Sequence, residues 1–241
     1  MGVNRCHFLY DEIMISYLIN IISENINECS IYKFLSYYKK YSFMDQGKDI
    51  DSRNAGMQEV DIYHEKQSRQ LCALHVLNNL FQDQNAFKKS DLDAICKRLT
   101  PNAWINPHKS VLGLGNYDVN ILMTGLQDWG YKIIWFDKRK SVETIDFEKV
   151  YGFILNVPSS YRVFGIVPLP YHNKHWLTIK HFKGLGYYNL DSNLPKPLHI
   201  GEKEALIQFL RSELSSSDKE LLIVVPDEIE PTQLWVDLVP E

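Results

Sequence analysis

From residue 72 to residue 129 the apolar positions recur at helical spacing, and from residue 131 onward they give way to short β-branched and aromatic runs. Three helices are expected first. The opening one runs from about Cys72 to Gln82, with the cysteine at its first turn. The next begins in "SDLDAICKRL", where Ser90 followed by Asp93 reads as a capping box. Its Leu92, Ile95, Cys96 and Leu99 share one face, so Cys96 reads as a packing residue. The third spans about Tyr117 to Trp129, with Val119, Leu122, Met123 and Leu126 facing inward and Gly130 where a C′ glycine belongs. Between the last two lies "TPNAWINPHKSVLGLGN", whose prolines and glycines predict an irregular segment.

Five strand-like runs follow: "YKIIWF" (131–136), "YGFILNV" (151–157), "HWLTIKHF" (175–182), "GYYNLDS" (186–192) and "ELLIVV" (220–225). Gly184 and Gly186 make an antiparallel hairpin the natural link between the third and fourth. A further helix, about Glu202 to Leu214, carries Leu206, Phe209 and Leu210 ahead of the last strand. Helices followed by a mostly antiparallel sheet predict an α+β domain.

The flanks read differently. Residues 1–56 form an extension: Ile15, Leu18, Ile19 and Ile22 fit a short helix, and the polar run from Met44 to Asp61 reads as a linker. The folded unit is expected within residues 57–226, beginning near Ile62, and residues 227–241 form a tail with five acids and no base that is expected to be loosely held. With 45% hydrophobic residues the chain can bury a sizeable core, and its net charge of −4 with dispersed Lys and Arg leaves no footprint for nucleic acid. Four scattered cysteines without a CxxC pair predict free thiols in a reducing compartment. The apolar run Phe8 to Ile22 is interrupted by Asp11 and Glu12, and what remains is about half the length of a membrane span. It has neither the charged flank nor the cleavage site of a signal peptide. Met1-Gly2 suggests acylation, but Cys6 stands where that motif requires Ser or Thr. A soluble, cytosolic, monomeric protein without a transmembrane segment is expected, with peripheral membrane association through Phe8 to Ile22 left open.

Candidate chemistry centres on Cys72, which can be read as a packing residue, a metal ligand with His75, or a nucleophile. A helix beginning there sets the thiol beside unpaired backbone N–H groups and the positive end of the helix dipole, which favours the thiolate. A thiolate that attacks a carbonyl needs a base, and the base an orienting partner. His175 would open a strand, followed by Trp176, whose ring could shield an imidazole from water. Asp191, sixteen residues later, suits a facing position across the hairpin. Cys, His, Asp is the linear order of papain-like thiol hydrolases. Gln67, five residues before the cysteine, could turn back and donate to an oxyanion. The metal reading is weaker: "HEKQS" has no second histidine of an HExxH motif, and His175 and His181 stand too far apart along one strand for a single ion. His75 is read as helix packing or a surface position, His181 as a surface strand residue, and no metal or cofactor is expected.

The runs "YHEKQSRQLCALHVLNNL", "KHWLTI" and "YYNLDS" resemble the cysteine, histidine and third-residue motifs of the Josephin domain, in that order. "ICKRL", "NPHKSVLGLGNYDVN" and "LQDWG" look like the connecting pieces of short Josephin proteins. The likeness covers about Ile62 to Val225. It implies a papain-like α+β cysteine protease, with the nucleophile helix packed on the sheet, that cleaves the bond after the ubiquitin C-terminus. Its partners would be ubiquitin and ubiquitinated proteins. By motif position Cys72 would be the nucleophile, His175 the general base and acid, Asp191 the orienting residue and Gln67 the oxyanion-hole side chain. Some family members carry Asn where this chain has Asp191; the carboxylate should stabilise imidazolium more strongly. Residues from about Ala86 to Gly115 would form a projecting helical arm, and Val119 and Trp129 match positions that contact ubiquitin beside the active site. Two rival readings are a catalytically weak ubiquitin-binding module of the same fold and a general papain-type peptidase.

Overall fold

A computed structural model describes residues 61–68, 70–102, 106–109, 115–159, 162–163, 167–168 and 173–236, with backbone alone at 162, 163, 167, 168 and 173. They belong to the compact unit Val60–Glu241. The expected helix at 15–22 and nearly all of the linker lie outside these residues.

Helices α1 (Cys72–Phe81), α2 (Lys89–Leu99) and α3 (Val119–Asp128) precede β1 (Tyr131–Trp135), β2 (Gly152–Ser159), β3 (Arg162–Val163), β4 (Val167–Pro168), β5 (Asn173–Phe182), β6 (Gly186–Asn189), β7 (Leu198–Gly201), α4 (Lys203–Leu214) and β8 (Glu220–Pro226). Six strands form one sheet in the order β1-β8-β2-β5-β6-β7, and β3 and β4 pair separately. Every pairing is antiparallel. The predicted α+β architecture is the observed one.

The sheet is covered on both faces. Ile154, Trp176, Leu222 and Val224 join the buried residues of α1, α2 and α3 in one cluster. Their neighbours along the strands, Phe153, Leu155, Leu177, Ile179, Leu221, Ile223 and Val225, join Leu206 and Leu210 of α4 in a second. Coverage on both faces explains why "YGFILNV" and "ELLIVV" are continuous apolar runs, since a strand buried on both sides has no polar face to show. Fully burying one such side chain is worth about 1.5–3 kcal/mol, so these two layers are the main source of the fold's stability.

Several expectations are corrected in detail. The capping carboxylate of α2 is Asp91, which accepts from the Lys88 N–H at 2.8 Å, so the helix starts earlier than a Ser90 cap would allow. Asp93 instead accepts from Lys89 Nζ (2.7 Å), Lys109 Nζ (2.7 Å) and the Tyr117 hydroxyl (3.1 Å). Helix α3 starts after Asp118, whose Oδ1 accepts from the Asn120 and Ile121 N–H groups. Its inner face is Ile121, Leu122, Gly125 and Leu126, while Met123 points out. Leu99, placed on the inner face of α2, is likewise exposed. Phe87, Leu92, Ile95 and Cys96 lie in the helix-side core, and residues 103–105 and 110–114 of the expected arm lie outside the described residues. Strand β7 was missed: "LHIG" is short, two of its four residues are exposed, and no alternating pattern marks it.

The tail correction is larger. After β8 a 3₁₀ turn, Pro231–Leu234, buries Leu234 completely. The chain then pairs with the 142–146 segment: Asp146 N–H donates to Leu234 O (2.7 Å) and Val236 N–H to Thr144 O (2.8 Å). Lys140 Nζ sits 3.9 Å over the Trp235 ring. Through residue 236 the acidic tail is part of the body, because two apolar anchors outweigh the solvation of its few carboxylates.

Candidate active site

Three chain segments are tied together around helix α1, which begins at Cys72: the loop 63–68, the helix itself and the turn that follows β6. Helix α1 reads as amphipathic, yet every residue from Cys72 to Leu80 is buried. Its polar residues therefore need partners inside the protein, and they find them in the other two segments. Asn79 accepts from the Glu65 N–H (2.7 Å) and donates to Leu190 O (2.8 Å). Asn78 donates to Glu65 Oε2 at 2.9 Å. His75 Nε2 accepts from the Ser68 N–H at 3.1 Å, which puts the ring proton on Nδ1, 3.2 Å from Glu65 Oε1. Burial alone would raise the pKa of Glu65, but the hydrogen bonds from His75 and Asn78 win and lower it. His75 thus has a definite job: it fastens the loop before Cys72 to the helix after it.

The same loop is fastened on its other side. His64 Nε2 donates to Asp191 O (2.9 Å), and the Gln67 N–H to Ser192 O (2.7 Å). The Ser192 hydroxyl donates to Gln67 Oε1 at 2.7 Å. Behind the helix start, Gln70 bridges Gly115, and the Asn116 N–H donates to Gln70 O at 2.7 Å. Gly115 has φ +116°, and a Cβ there would lie 2.1 Å from Gln70 O. Gly115→Ala is therefore expected to push residues 70 and 71 off their place ahead of Cys72. The expected cost is about 2–4 kcal/mol of stability, read by urea titration, with activity lost in parallel. Wild-type stability and turnover would refute the close-approach argument.

Cys72 is the first residue of α1, a free thiol with 4% exposure, and no side chain caps that helix end. His175 is 3% exposed, and its Nε2 lies 2.6 Å from Asp191 Oδ1. Nδ1 is buried and has no hydrogen-bond partner among the described residues. Burial pulls the imidazole pKa down, but the hydrogen bond to Asp191 and the interaction with Cys72 overcome it and raise the value to about 9. With Nε2 committed to the carboxylate, Nδ1 is the nitrogen left for the thiol.

The hairpin expectation was right about contact and wrong about register. Pairing runs Ile179↔Asn189 to Phe182↔Gly186, which carried onward sets Asn193, not Asp191, opposite His175. Indeed Asn193 Nδ2 is 3.0 Å from His175 Nε2. Asp191 reaches the ring diagonally because β6 ends at Asn189 and the chain turns: Asp191 N–H donates to Asn189 Oδ1 (2.9 Å), and Asn193 N–H to Asp191 Oδ1 (2.8 Å). Trp176, proposed as a shield, packs in the helix-side cluster, with its indole N–H donating to Tyr117 O at 3.2 Å. It anchors the start of β5 to the approach of α3.

Val119 packs half-buried against the helix-side core. Trp129 stacks on Phe81 (4.7 Å) and Phe87 (5.3 Å), beside the far end of α1. At 1.5 Å rise per residue that end is about 13 Å from Cys72. His181 is exposed, beside Tyr187. Among the described residues no three His, Cys, Asp or Glu side chains converge to hold a metal ion, and no helix is long and apolar enough to cross a membrane.

An α+β body with a six-stranded antiparallel sheet, a buried cysteine at a helix start and a carboxylate-held histidine on the sheet is consistent with the papain-like fold. Residues 67–225 match the Josephin family model. The chain is 45% identical over 175 residues to a Josephin-like protein of Drosophila melanogaster, covering 73% of this chain and 78% of that protein. It is 41% identical over 175 residues to human Josephin-2, covering 73% and 92%. It is 28% identical over 159 residues to human ataxin-3-like protein, covering 58% and 40%. The chain belongs to the Josephin family.

The structure joins His175 to Asp191 and ties Gln67 to Ser192, while Ser192, Glu65, Asn78 and Asn79, which bind these segments together, carry no expectation from the sequence. His75, Asn78 and Asn79 did leave a signal, since they are polar residues that break an otherwise apolar helix beginning at the cysteine.

Proposed function

We propose that this protein is a deubiquitinase, a thiol hydrolase that cleaves the isopeptide or peptide bond after the ubiquitin C-terminus. The observation that carries this reading is the buried His175 imidazole held 2.6 Å from Asp191 Oδ1, with Cys72 at the start of the helix packed on the same sheet; the Asp191 hydrogen bond and Cys72 raise the imidazole pKa to about 9 against burial. A histidine in that state remains cationic at neutral pH and can stabilise a thiolate next to it.

In the proposed reaction the Cys72 thiolate attacks the carbonyl carbon of the ubiquitin C-terminal residue. The carbonyl oxygen becomes an oxyanion, to which the Gln67 side-chain amide and the Cys72 N–H donate. His175 gives its proton to the departing amine, the C–N bond breaks, and ubiquitin is left as a thioester on Cys72. His175 then takes a proton from water, the hydroxide adds to the thioester, and collapse releases ubiquitin with a free carboxylate. Asp191 keeps the ring oriented through both proton transfers.

The same reading has the protein act on ubiquitinated proteins as a monomer in the cytosol. The free, buried Cys72 and Cys96 are compatible with a reducing compartment. Val119 and Trp129, both half-buried against the helix-side core, are the proposed ubiquitin-contact positions.

The test is a ubiquitin probe ending in a thiol-reactive electrophile. We expect one covalent adduct, mapped to Cys72. An intact protein that forms none, or forms it at Cys96, would sink the proposal.

A further inference from the structure

We propose that Ser192 is a positioning residue that holds the Gln67 amide in the orientation that serves the oxyanion; this rests on the hydrolase reading above. The two residues are joined twice. The Gln67 N–H donates to Ser192 O at 2.7 Å, and the Ser192 hydroxyl donates to Gln67 Oε1 at 2.7 Å. Ser192 is only 4% exposed, so water competes poorly for either bond.

The chemistry of the amide gives the second bond its meaning. A glutamine side chain accepts only through Oε1 and donates only through Nε2. An oxyanion needs the donor, fixed in place before the charge develops, because a donor that must reorient during the reaction loses much of its benefit. With Oε1 drawn toward Ser192, Nε2 is turned to the opposite side of the amide. The hydroxyl thus sets which end of the side-chain amide faces the turn and which faces away from it.

Ser192 is also the immediate neighbour of Asp191. One short turn, stiffened by Asn189 Oδ1 on the Asp191 N–H and by Asp191 O on the Leu194 N–H, carries both orienting groups. Asp191 sets the ring of His175 and Ser192 sets the amide of Gln67. Base and oxyanion donor, which come from strand β5 and the loop 63–68, are kept in step by adjacent residues of a third segment.

The experiment uses ubiquitin with a fluorogenic C-terminal amide and the full chain. Ser192→Ala is expected to lower kcat by about ten- to a hundredfold with KM within about twofold, less than the about hundred- to thousandfold loss expected for Gln67→Ala. If Ser192 acts through Gln67, the double variant is no slower than Gln67→Ala alone. The pH profile for alkylation of Cys72 by a small haloacetamide should stay as in the wild type, because that reaction reads the Cys72 and His175 pair and makes no oxyanion. Should the alanine protein melt far below the wild type, Ser192→Thr, which keeps the hydroxyl, decides: kcat within a fewfold of the wild type supports the role. Wild-type kcat in Ser192→Ala, or losses that multiply in the double variant, would overturn it while leaving the hydrolase reading intact. A wild type that neither turns over substrate nor labels at Cys72 overturns the functional reading and this proposal with it.

Discussion

Replacing Cys72 by alanine is expected to leave the protein folded and to remove turnover, by a factor of about 10⁶ if the thiol is the nucleophile. Only a sulfur is lost at a position with 4% exposure, at the start of a helix held by His75, Asn78 and Asn79. The cost in stability should be about 1 kcal/mol, the range for deleting one small buried group. Binding of ubiquitin should survive, since the contacts that recognise it are untouched. The checks are kcat on a fluorogenic ubiquitin amide, thermal melting, and ubiquitin affinity by calorimetry. Residual turnover within a hundredfold of the wild type would move the nucleophile elsewhere.

Asp191→Ala is the second large effect. His175 owes its raised pKa first to the Asp191 hydrogen bond acting against burial, so removing the carboxylate leaves a buried imidazole that is hard to protonate and free to turn. A loss of about 10³–10⁴ in kcat is expected, the range for removing an orienting carboxylate. In the wild type the alkaline limb of activity should fall near pH 9, as the imidazolium gives up its proton. In Asp191→Asn, which keeps a hydrogen-bond acceptor without the charge, that limb should move to lower pH. Stability follows the same sign. The folded value is raised above the ordinary 6.5, so this contribution is fully present below about pH 6.5 and disappears as pH rises through about 9. Urea titrations across that window should show the decline in the wild type and a flatter profile in Asp191→Ala. An alkaline limb unmoved by Asp191→Asn would separate it from the titration of His175.

The elements that were legible in the sequence are those with a long, clean period. Helices α1 and α3 and the five apolar runs were found because burial imposes spacing, and Cys72, His175, Asp191 and Gln67 stand out because the proposed chemistry demands particular residue types in a particular order. What escaped depends on distances between segments. The register of β5 against β6 could not be read from the spacing, so Asp191 is expected directly opposite His175, whereas the pairing ends at Ile179↔Asn189 and Asp191 reaches the ring from the turn beyond it. His75 reads as helix packing or a surface position because nothing local says that a loop and a turn will cover its face of the helix. The tail looked loose from its charge, when Leu234 and Trp235 decide its fate.

Strand order carries a consequence for how this protein comes into being. The last strand in the chain, β8, sits inside the sheet between β1 and β2, and the turn holding Asp191 is tied to His64 across 127 residues. During synthesis β1 and β2 leave the ribosome with the gap between them unfilled, so the sheet cannot close until residues 220–226 have emerged. Until then both apolar layers stay open and the segments that form the site have no rigid frame. A chain interrupted before β8 is therefore expected to be a target for chaperones and incompetent in catalysis, and the first turnover by a new molecule reports that its folding has finished.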